Sequence, residues 1–369
     1  PPPGLLSAAL LSRIASGVPC FSILSCDNLP HNGSLTRRML REFVRAKAAA
    51  GEPRAGVLAA DLDAGNVAFP STMNDRITPH TERRHRERLA REHQIIDRSP
   101  VVCEPFRQWV IEDNFPMGRP QWERLGEVGL TLVRHAEDVH DYETMKLRLL
   151  NGSHLALSLL AHFLGYRYVH EAMADPLVKN YVNGFIHQVS PTVPRIKGVD
   201  LKSYGDSLVR RFSNPNIEDS LLRVTEDGHA KLLTTWRPTL VELAKHGQPS
   251  DTLGIAMAAW IRFTASETRA PTVSAPTVCA PTVGAHEPTL EAAAAALRLD
   301  SSHATVATFL RRYVGGDILI NHESETPSGL VGRISDALMV MNHDDPEMMA
   351  NAVRALLTSS QGWCSMAPL

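Results

Sequence analysis

Lys146, Asn151 and His154, within the string Tyr142-Glu-Thr-Met-Lys-Leu-Arg-Leu-Leu-Asn-Gly-Ser-His154, are the residues whose types and spacing could do chemistry. Met145, Leu149, Leu150 and the apolar run that follows predict a helix. At about 100° per residue the three polar groups then share roughly 140° of arc on one side. The turns from Leu155 to Leu164 are almost wholly apolar, so this helix is expected to be buried. An amine, an amide and an imidazole on a buried face need hydrogen-bond partners or a substrate. Lysine loses its proton readily on desolvation, which would make Lys146 a base near neutral pH, with Asn151 and His154 to hold a reacting oxygen. The competing reading lets Lys146 reach solvent along its stem and leaves Asn151 and His154 as satisfied core polar groups.

The elements that must position these groups fall into two styles. Leu5 to Ala15 reads as a helix, and Phe21 to Cys26 as a buried strand running into the polar loop Asp27 to Gly33. A second helix follows, with Leu35, Met39, Leu40, Phe43 and Val44 at helical spacing, Ser34 as its N-cap and Gly51 as its stop. His80 to Gln94 is dense in Arg and Glu at spacings suited to an exposed helix. Segments 100–106 and 109–111 read as extended. Beyond Asp141 helical periodicity dominates, over 141–165, 204–212, 217–227, 251–266, 289–299, 302–313 and 346–358. Three copies of Ala-Pro-Thr-Val starting at Ala270 interrupt it, and proline every fifth residue predicts a surface linker over 268–288.

Composition narrows the classes. A chain of 369 residues, 43% hydrophobic and 21% charged, suits two soluble globular domains. Its formal charge of −2 offers no excess of cations for nucleic acid or an anionic membrane. Five scattered cysteines without a CxxC pair argue against a disulfide framework or a cysteine zinc site. The first apolar stretch is broken by Ser7, Ser12, Arg13 and Ser16, and no run of 18 apolar residues occurs, so a cytoplasmic protein is expected. His135 and His140 are five apart, which does not suit a helical metal pair, and no metal is expected. The spacing Tyr142-x-x-x-Lys146 matches the acid and helper pair of short-chain dehydrogenases, but no glycine-rich turn precedes it.

Five strings together resemble the polyol-specific long-chain dehydrogenase family, of mannitol-dehydrogenase and fructuronate-reductase type. They are SCDNLPHNG (25–33), CEPFRQWVIEDNFPMGRPQWE (103–123), YETMKLRLLNGSH (142–154), GYRYVHEAMADP (165–176) and RRFSNPNIEDSLLRVTEDGHAK (210–231), in the family's order. The resemblance runs from about residue 5 to at least 260. It implies metal-independent, NAD- or NADP-dependent interconversion of a secondary alcohol and a ketone in a monomer, with a small polyol or sugar acid as substrate. Its Lys-x4-Asn-x2-His signature falls on Lys146, Asn151 and His154, making Lys146 the general base. Asn28 and Asn151 would hydrogen-bond the substrate oxygen, His154 would orient the substrate, and Arg223 and Lys231 would face its hydroxyls or carboxylate. Asn28 would also edge the cofactor site, past the carboxyl end of an apolar segment where ligands bind in open α/β sheets. Arg223 could equally pair with Glu226 or Asp227, and Asp113 and Asn114 could line a cleft or be structural.

The implied fold class is an α/β remnant of a Rossmann-type domain followed by a mainly α-helical C-terminal domain. The expected domains are 1–140, the later part of a dinucleotide-binding domain, and 141–369, a substrate and catalytic domain. No GxGxxG occurs anywhere, so the chain is expected to begin part-way into the nucleotide domain and to lack most of its cofactor site. The alternative is a non-catalytic remnant whose helical domain serves as a binding or structural module.

Overall fold

The computed structural model describes residues 2–265, 290–315 and 329–359, so the linker expected over 268–288 lies outside the described residues. The chain divides into two compact units. One is built from 1–77, 103–146 and 194–198, the other from 78–102, 147–193 and the described residues from 199 onward. The first is α/β and the second mainly helical, which is the expected order of classes. Among the described residues no helix is long and apolar enough to cross a membrane.

In the first unit, helices Pro2–Ala15, Asn32–Ala49 and Ala55–Ala64 close over Leu10, Leu40, Val44, Leu58 and Leu62, with Ile23, Val67 and Phe69 in the same cluster. Leu40 and Val44 sit four apart, so one helical face supplies both. On the outer side Arg41 and Arg45 converge on Asp63 at 2.5 and 2.9 Å. Ser34 is not the cap of the second helix. His31, in the left-handed conformation (φ 52°), precedes it without a side-chain cap, while Gly51 (φ 78°) ends it as expected. A three-stranded sheet completes the unit, with β1 (Thr72–Asp75), β2 (Gln108–Glu112) and β3 (Leu130–Val133) in the order β1-β2-β3. β1 runs antiparallel to β2, pairing Thr72 with Ile111, and β2 parallel to β3, pairing Trp109 with Leu130. Helix Ala136–Met145 packs on the sheet, burying Val110, Ile111, Val139 and Met145 completely.

Phe21 to Cys26 is not the expected buried strand: Ile23 alone of these residues is buried, and no strand is formed. Ile23 N–H donates to the Ala68 carbonyl at 2.9 Å, and a ladder needs more than one such bond. The loop that follows is instead held by a side chain. Asn32, 1% exposed, donates to the Thr72 carbonyl at 2.9 Å and accepts from the Thr72 amide at 3.0 Å, so its carboxamide pairs with β1 as a strand backbone would. Its Nδ2 also reaches the carbonyls of Ser25 and Asp27. The next residue must be glycine, because a Cβ on Gly33 would run into the Phe69 carbonyl and the Ser71 amide. Segment 100–106 is likewise irregular. Glu104 is fixed there by its carboxylate, which accepts the Ile77 amide at 2.6 Å.

The second unit is organised around helix Gly152–Phe163, in which residues 152–161 are all buried. A helix buried on every face must be covered on every side. Helices Pro176–Val189, Leu221–Thr225 and Asp251–Thr264 pack against it. Asp175 caps the first of these through the Leu177 amide at 2.9 Å, with Pro176 at its first turn. Trp236, fully buried, donates its indole N–H to the Gly152 carbonyl at 3.0 Å. The charged helix is present as Arg83–His93 with no buried residue. The helix expected over 217–227 is shorter, Leu221–Thr225, because Asp227 turns left-handed (φ 53°) before a new helix, Gly228–Thr234. The helix expected over 141–165 is not uniform either, since a π-helical turn, Lys146–Asn151, interrupts it.

Replacing Asn32 by alanine would leave the buried Thr72 amide and carbonyl without their partner, at a cost of about 2–4 kcal/mol. Urea denaturation of N32A should show a fall of that size. A loss under about 0.5 kcal/mol would mean that the loop is held by other contacts.

Candidate active site

In the first unit the site is built around Lys146, at the carboxyl end of helix Ala136–Met145. Its side chain is 6% exposed. The ammonium donates to Asn28 Oδ1 at 2.6 Å and to the Asn74 carbonyl. Asn28 stands on the loop tied down by Asn32, and Asn74 on β1, so sheet and loop supply the acceptors to a helix-borne amine. Because an ammonium only donates, the atom of Asn28 facing it is the carbonyl oxygen, and the Nδ2 donor of this exposed side chain points elsewhere. Asn74 Nδ2 in turn donates to the Cys26 carbonyl at 3.1 Å. Sequence reasoning found Lys146 and Asn28 but not Asn74, whose contribution is a main-chain oxygen and leaves no mark in residue type.

The second unit holds the other group of expected residues. His154, 6% exposed, stacks on Phe212 with ring centroids 4.6 Å apart. Its Nε2 lies 3.6 Å from Asp219 Oδ2, too far for a hydrogen bond, and has no hydrogen-bond partner. Burial pushes its pKa down to about 4; Asp219 opposes that shift, while Arg223, Lys231 and Arg211 reinforce it. The imidazole is therefore neutral at neutral pH, with one ring nitrogen buried and without a hydrogen-bond partner. Asn151 is half-buried at the end of the π-helical turn and makes no capping bond.

Arg223 pairs with neither Glu226 nor Asp227 but with Asp219, donating from Nε at 2.5 Å and Nη2 at 2.6 Å. Asp219 is 4% exposed, so this bidentate pair is buried on the carboxylate side. Lys231, half-buried, donates to the Val224 carbonyl at 2.8 Å. Burial, then the Arg223 charge, holds its pKa below the usual lysine range. The second unit thus gathers His154, Arg223 and Lys231 around Asp219, a residue the sequence did not single out. Its signal was available, since Asp219 and Arg223 are four apart at a helix start. Asp113 is engaged structurally, accepting Arg119 Nε and Nη2 at 2.5 and 2.6 Å. Asn114 donates its amide to the Glu112 carbonyl at 2.9 Å.

Residues 3–124 match the family model of the mannitol dehydrogenase Rossmann domain, and residues 138–294 that of the mannitol dehydrogenase C-terminal domain. Mannitol 2-dehydrogenase of Phaeosphaeria nodorum is 40% identical over 259 residues, 70% of this chain and 44% of that one. The Aspergillus fumigatus enzyme of the same name is 40% identical over 261 residues, 70% of this chain and 50% of that one. Among solved structures, the ternary complex of Pseudomonas fluorescens mannitol 2-dehydrogenase with NAD and D-mannitol superposes with a TM-score of 0.71 at 36% identity, covering 97% of this chain and 65% of that one. A substrate-free D-sorbitol dehydrogenase gives 0.73 at 26% identity, covering 96% and 66%. The chain spans about half the length of the curated relatives it matches.

The state of His154 has a thermodynamic signature. Its folded pKa lies below its unfolded value, so its contribution to stability is full above pH 6.5 and is lost as pH falls toward 4. The loss amounts to about 2–3 kcal/mol. Denaturation at pH 7.5 and pH 4 should show a smaller difference in H154Q than in the parent by that amount. Equal differences would mean that His154 titrates normally in the folded chain.

Proposed function

The chain belongs to the mannitol dehydrogenase family, and from that premise we propose that it interconverts the secondary alcohol of a polyol and the matching ketone, with Lys146 as the acid–base group. The observation that carries this reading is the buried Lys146 ammonium with Asn28 Oδ1 at 2.6 Å. A lysine kept out of water beside a neutral amide is placed to exchange one proton with a bound alcohol. In the oxidative direction the neutral amine takes the hydroxyl proton, and in reduction the ammonium returns it to the carbonyl oxygen. The redox partner in this proposal is a nicotinamide dinucleotide, NAD or NADP, which takes up the hydride leaving the carbinol carbon. Of this chain's residues only Asn28 is assigned to the edge of that site, since its exposed carboxamide keeps a donor free.

Asn151 and the Asn28 Nδ2 group are proposed to donate to the substrate oxygen as charge develops on it. His154 Nε2, buried and without a partner, is the proposed contact for a neighbouring hydroxyl. Arg223 and Lys231 are proposed to hold more distant hydroxyls. The Asp219 pair already neutralises Arg223, which favours a neutral polyol over a sugar acid, because a carboxylate would compete with Asp219 for the same guanidinium. The same proposal places catalysis in a helical domain following a nucleotide domain, in a monomeric cytoplasmic protein. Cys20, Cys26 and Cys103 are free thiols, which suits that compartment.

The test is titration of the full chain with NADH and NADPH, followed by nucleotide fluorescence, with fructose or fructuronate added. Saturable binding and fructose-dependent loss of the reduced nicotinamide band are expected. No binding up to millimolar nucleotide would sink catalysis by this chain and leave the non-catalytic helical module. In the active chain, Lys146→Ala should cut turnover by roughly 10²–10⁴ with nucleotide affinity unchanged. Asn151→Ala should lower kcat more than it raises KM, and a pure KM effect would remove Asn151 from the transition state.

A further inference from the structure

The charged helix Arg83–His93 is a sequence motif that the proposed chemistry leaves unused. Residues 78–102 stand between β1 and β2 in sequence, yet they belong to the second unit. No residue of the helix is buried, so apolar packing does not hold it there. Polar contacts at its start do. Arg84 Nη2 lies 3.0 Å from Glu218 Oε2 and 3.2 Å from Glu82 Oε1, and its guanidinium carbon stands 5.9 Å from the centre of the Tyr168 ring. Just before the helix, His80 Nε2 lies 4.0 Å from Glu226 Oε2.

These contacts fall on the two ends of one segment. Asp219 and Arg223 lie between Glu218 and Glu226, and the segment is flanked by two left-handed residues, Glu218 (φ 48°) and Asp227 (φ 53°). A side-chain-bearing residue in that conformation is strained and persists only where its surroundings over-determine it. The start of the segment forms an isolated antiparallel bridge, Ser220 opposite Tyr168. Across it the Val169 amide donates to the Asp219 carbonyl at 2.9 Å, and the Leu221 amide to the Arg167 carbonyl at 3.1 Å. The Tyr168 side is anchored on its own, because the Glu171 carboxylate accepts the Arg167 and Tyr168 amides at 3.1 and 3.0 Å. Arg84 meets both sides of the bridge, Tyr168 at its ring and Glu218 at its carboxylate.

We propose that Arg84 is a positioning residue, which clamps Glu218 to Tyr168 and so fixes the backbone that carries Asp219. The effect on substrate rests on the oxidoreductase reading; the clamp itself does not. Buried Asp219 holds Arg223 by a two-point bond at 2.5 and 2.6 Å and stands 3.6 Å from His154. Such a bond tolerates little displacement, so slack at Glu218 passes to the groups proposed to hold hydroxyls. A lone exposed ion pair contributes little. Here the same guanidinium also rests on an aromatic ring, and the two contacts together close one turn of chain. The charged helix therefore acts on substrate binding from outside the site.

Kinetics and amide exchange on the full chain test the clamp. R84A should raise the KM for the polyol roughly fivefold with kcat within about twofold. E218A should do the same, and R84A/E218A together should be no worse than either alone, as expected for two ends of one contact. Arg84→Lys, which keeps the charge, should fall between R84A and the parent. Arg83→Ala, whose partner Glu87 lies on the same helix, should match the parent. In R84A the Val169 and Leu221 amides should exchange with deuterium roughly fivefold faster, while those of helix Gly152–Phe163 keep their rates. Unchanged KM, a loss confined to kcat, additive effects in the double variant or unchanged exchange at Val169 and Leu221 would each overturn the clamp. If the parent itself is inactive, the oxidoreductase reading fails alone and the exchange rates, which need no substrate, decide the clamp.

Discussion

A protonated amine with 6% of its surface exposed survives in a folded interior only where oxygen acceptors are already fixed, and the first unit is arranged around that demand. Uncompensated, a buried charge costs several kcal/mol, while each hydrogen bond to a charged group returns about 1.5–3 kcal/mol. Lys146 has two such acceptors in Asn28 Oδ1 and the Asn74 carbonyl, and neither is free to drift. Asn74 belongs to β1, whose register against β2 is set by four residue pairs. Asn28 belongs to a loop without strand pairing, so its position depends on Asn32, whose carboxamide is bonded in both directions to Thr72 of the same strand. Gly33 permits that approach. One asparagine therefore transmits the order of the sheet to the residue that faces the amine.

What the sequence disclosed follows from how far each signal travels along the chain. Helix Gly152–Phe163 was legible because the run from Leu155 to Leu164 is almost wholly apolar and must be buried. The charged helix Arg83–His93 was legible because paired Arg and Glu four apart are a local pattern. Lys146 and Asn28 stood out by residue type within recognisable strings, although their meeting spans 118 positions. Asn74 contributes through its main chain, and Asn32 through a bond to a strand 40 positions on; neither has a local signature. The reading of Phe21 to Cys26 as a buried strand failed on both counts, since Ile23 alone of these residues is buried and no ladder forms; apolar content reports a tendency to be covered, not which neighbour supplies the pairing. Ser34 failed as a cap for a similar reason. Its residue type suits the role, but the chain enters the helix through a left-handed His31 three residues before Ser34.

The buried charges of the second unit are handled differently. His154 is relieved of charge by burial, and the Arg223 guanidinium is met by Asp219 in a two-point bond. Asp219 thus stands beside both, at 3.6 Å from the imidazole and 2.5 Å from the guanidinium. Breaking it would leave Arg223 half-buried without a counter-charge and would strip His154 of the one interaction that favours its protonation. The net result is a neutral imidazole beside a carboxylate already paired with a guanidinium, while the Lys231 ammonium rests on a main-chain carbonyl.

The spacing Lys-x4-Asn-x2-His looks irregular on an α-helix, where a step of five residues carries a side chain well round the axis. The π-helical turn Lys146–Asn151 alters that arithmetic, because in a π-turn the backbone bonds join residues five apart, so five becomes the step that returns to the same face. The helix resumes as an α-helix at Gly152, where three residues, the step from Asn151 to His154, again separates neighbours on one face. The five-then-three interval is thus the natural period of a π-turn followed by an α-turn. Holding such a turn costs regular hydrogen bonding, and single π-turns persist inside α-helices mostly where a function is served. A deletion or insertion within 147–150 that restored α-helical geometry would keep all three residues and change the interval between them, so the proposed roles of Lys146, Asn151 and His154 depend on the turn as well as on the side chains.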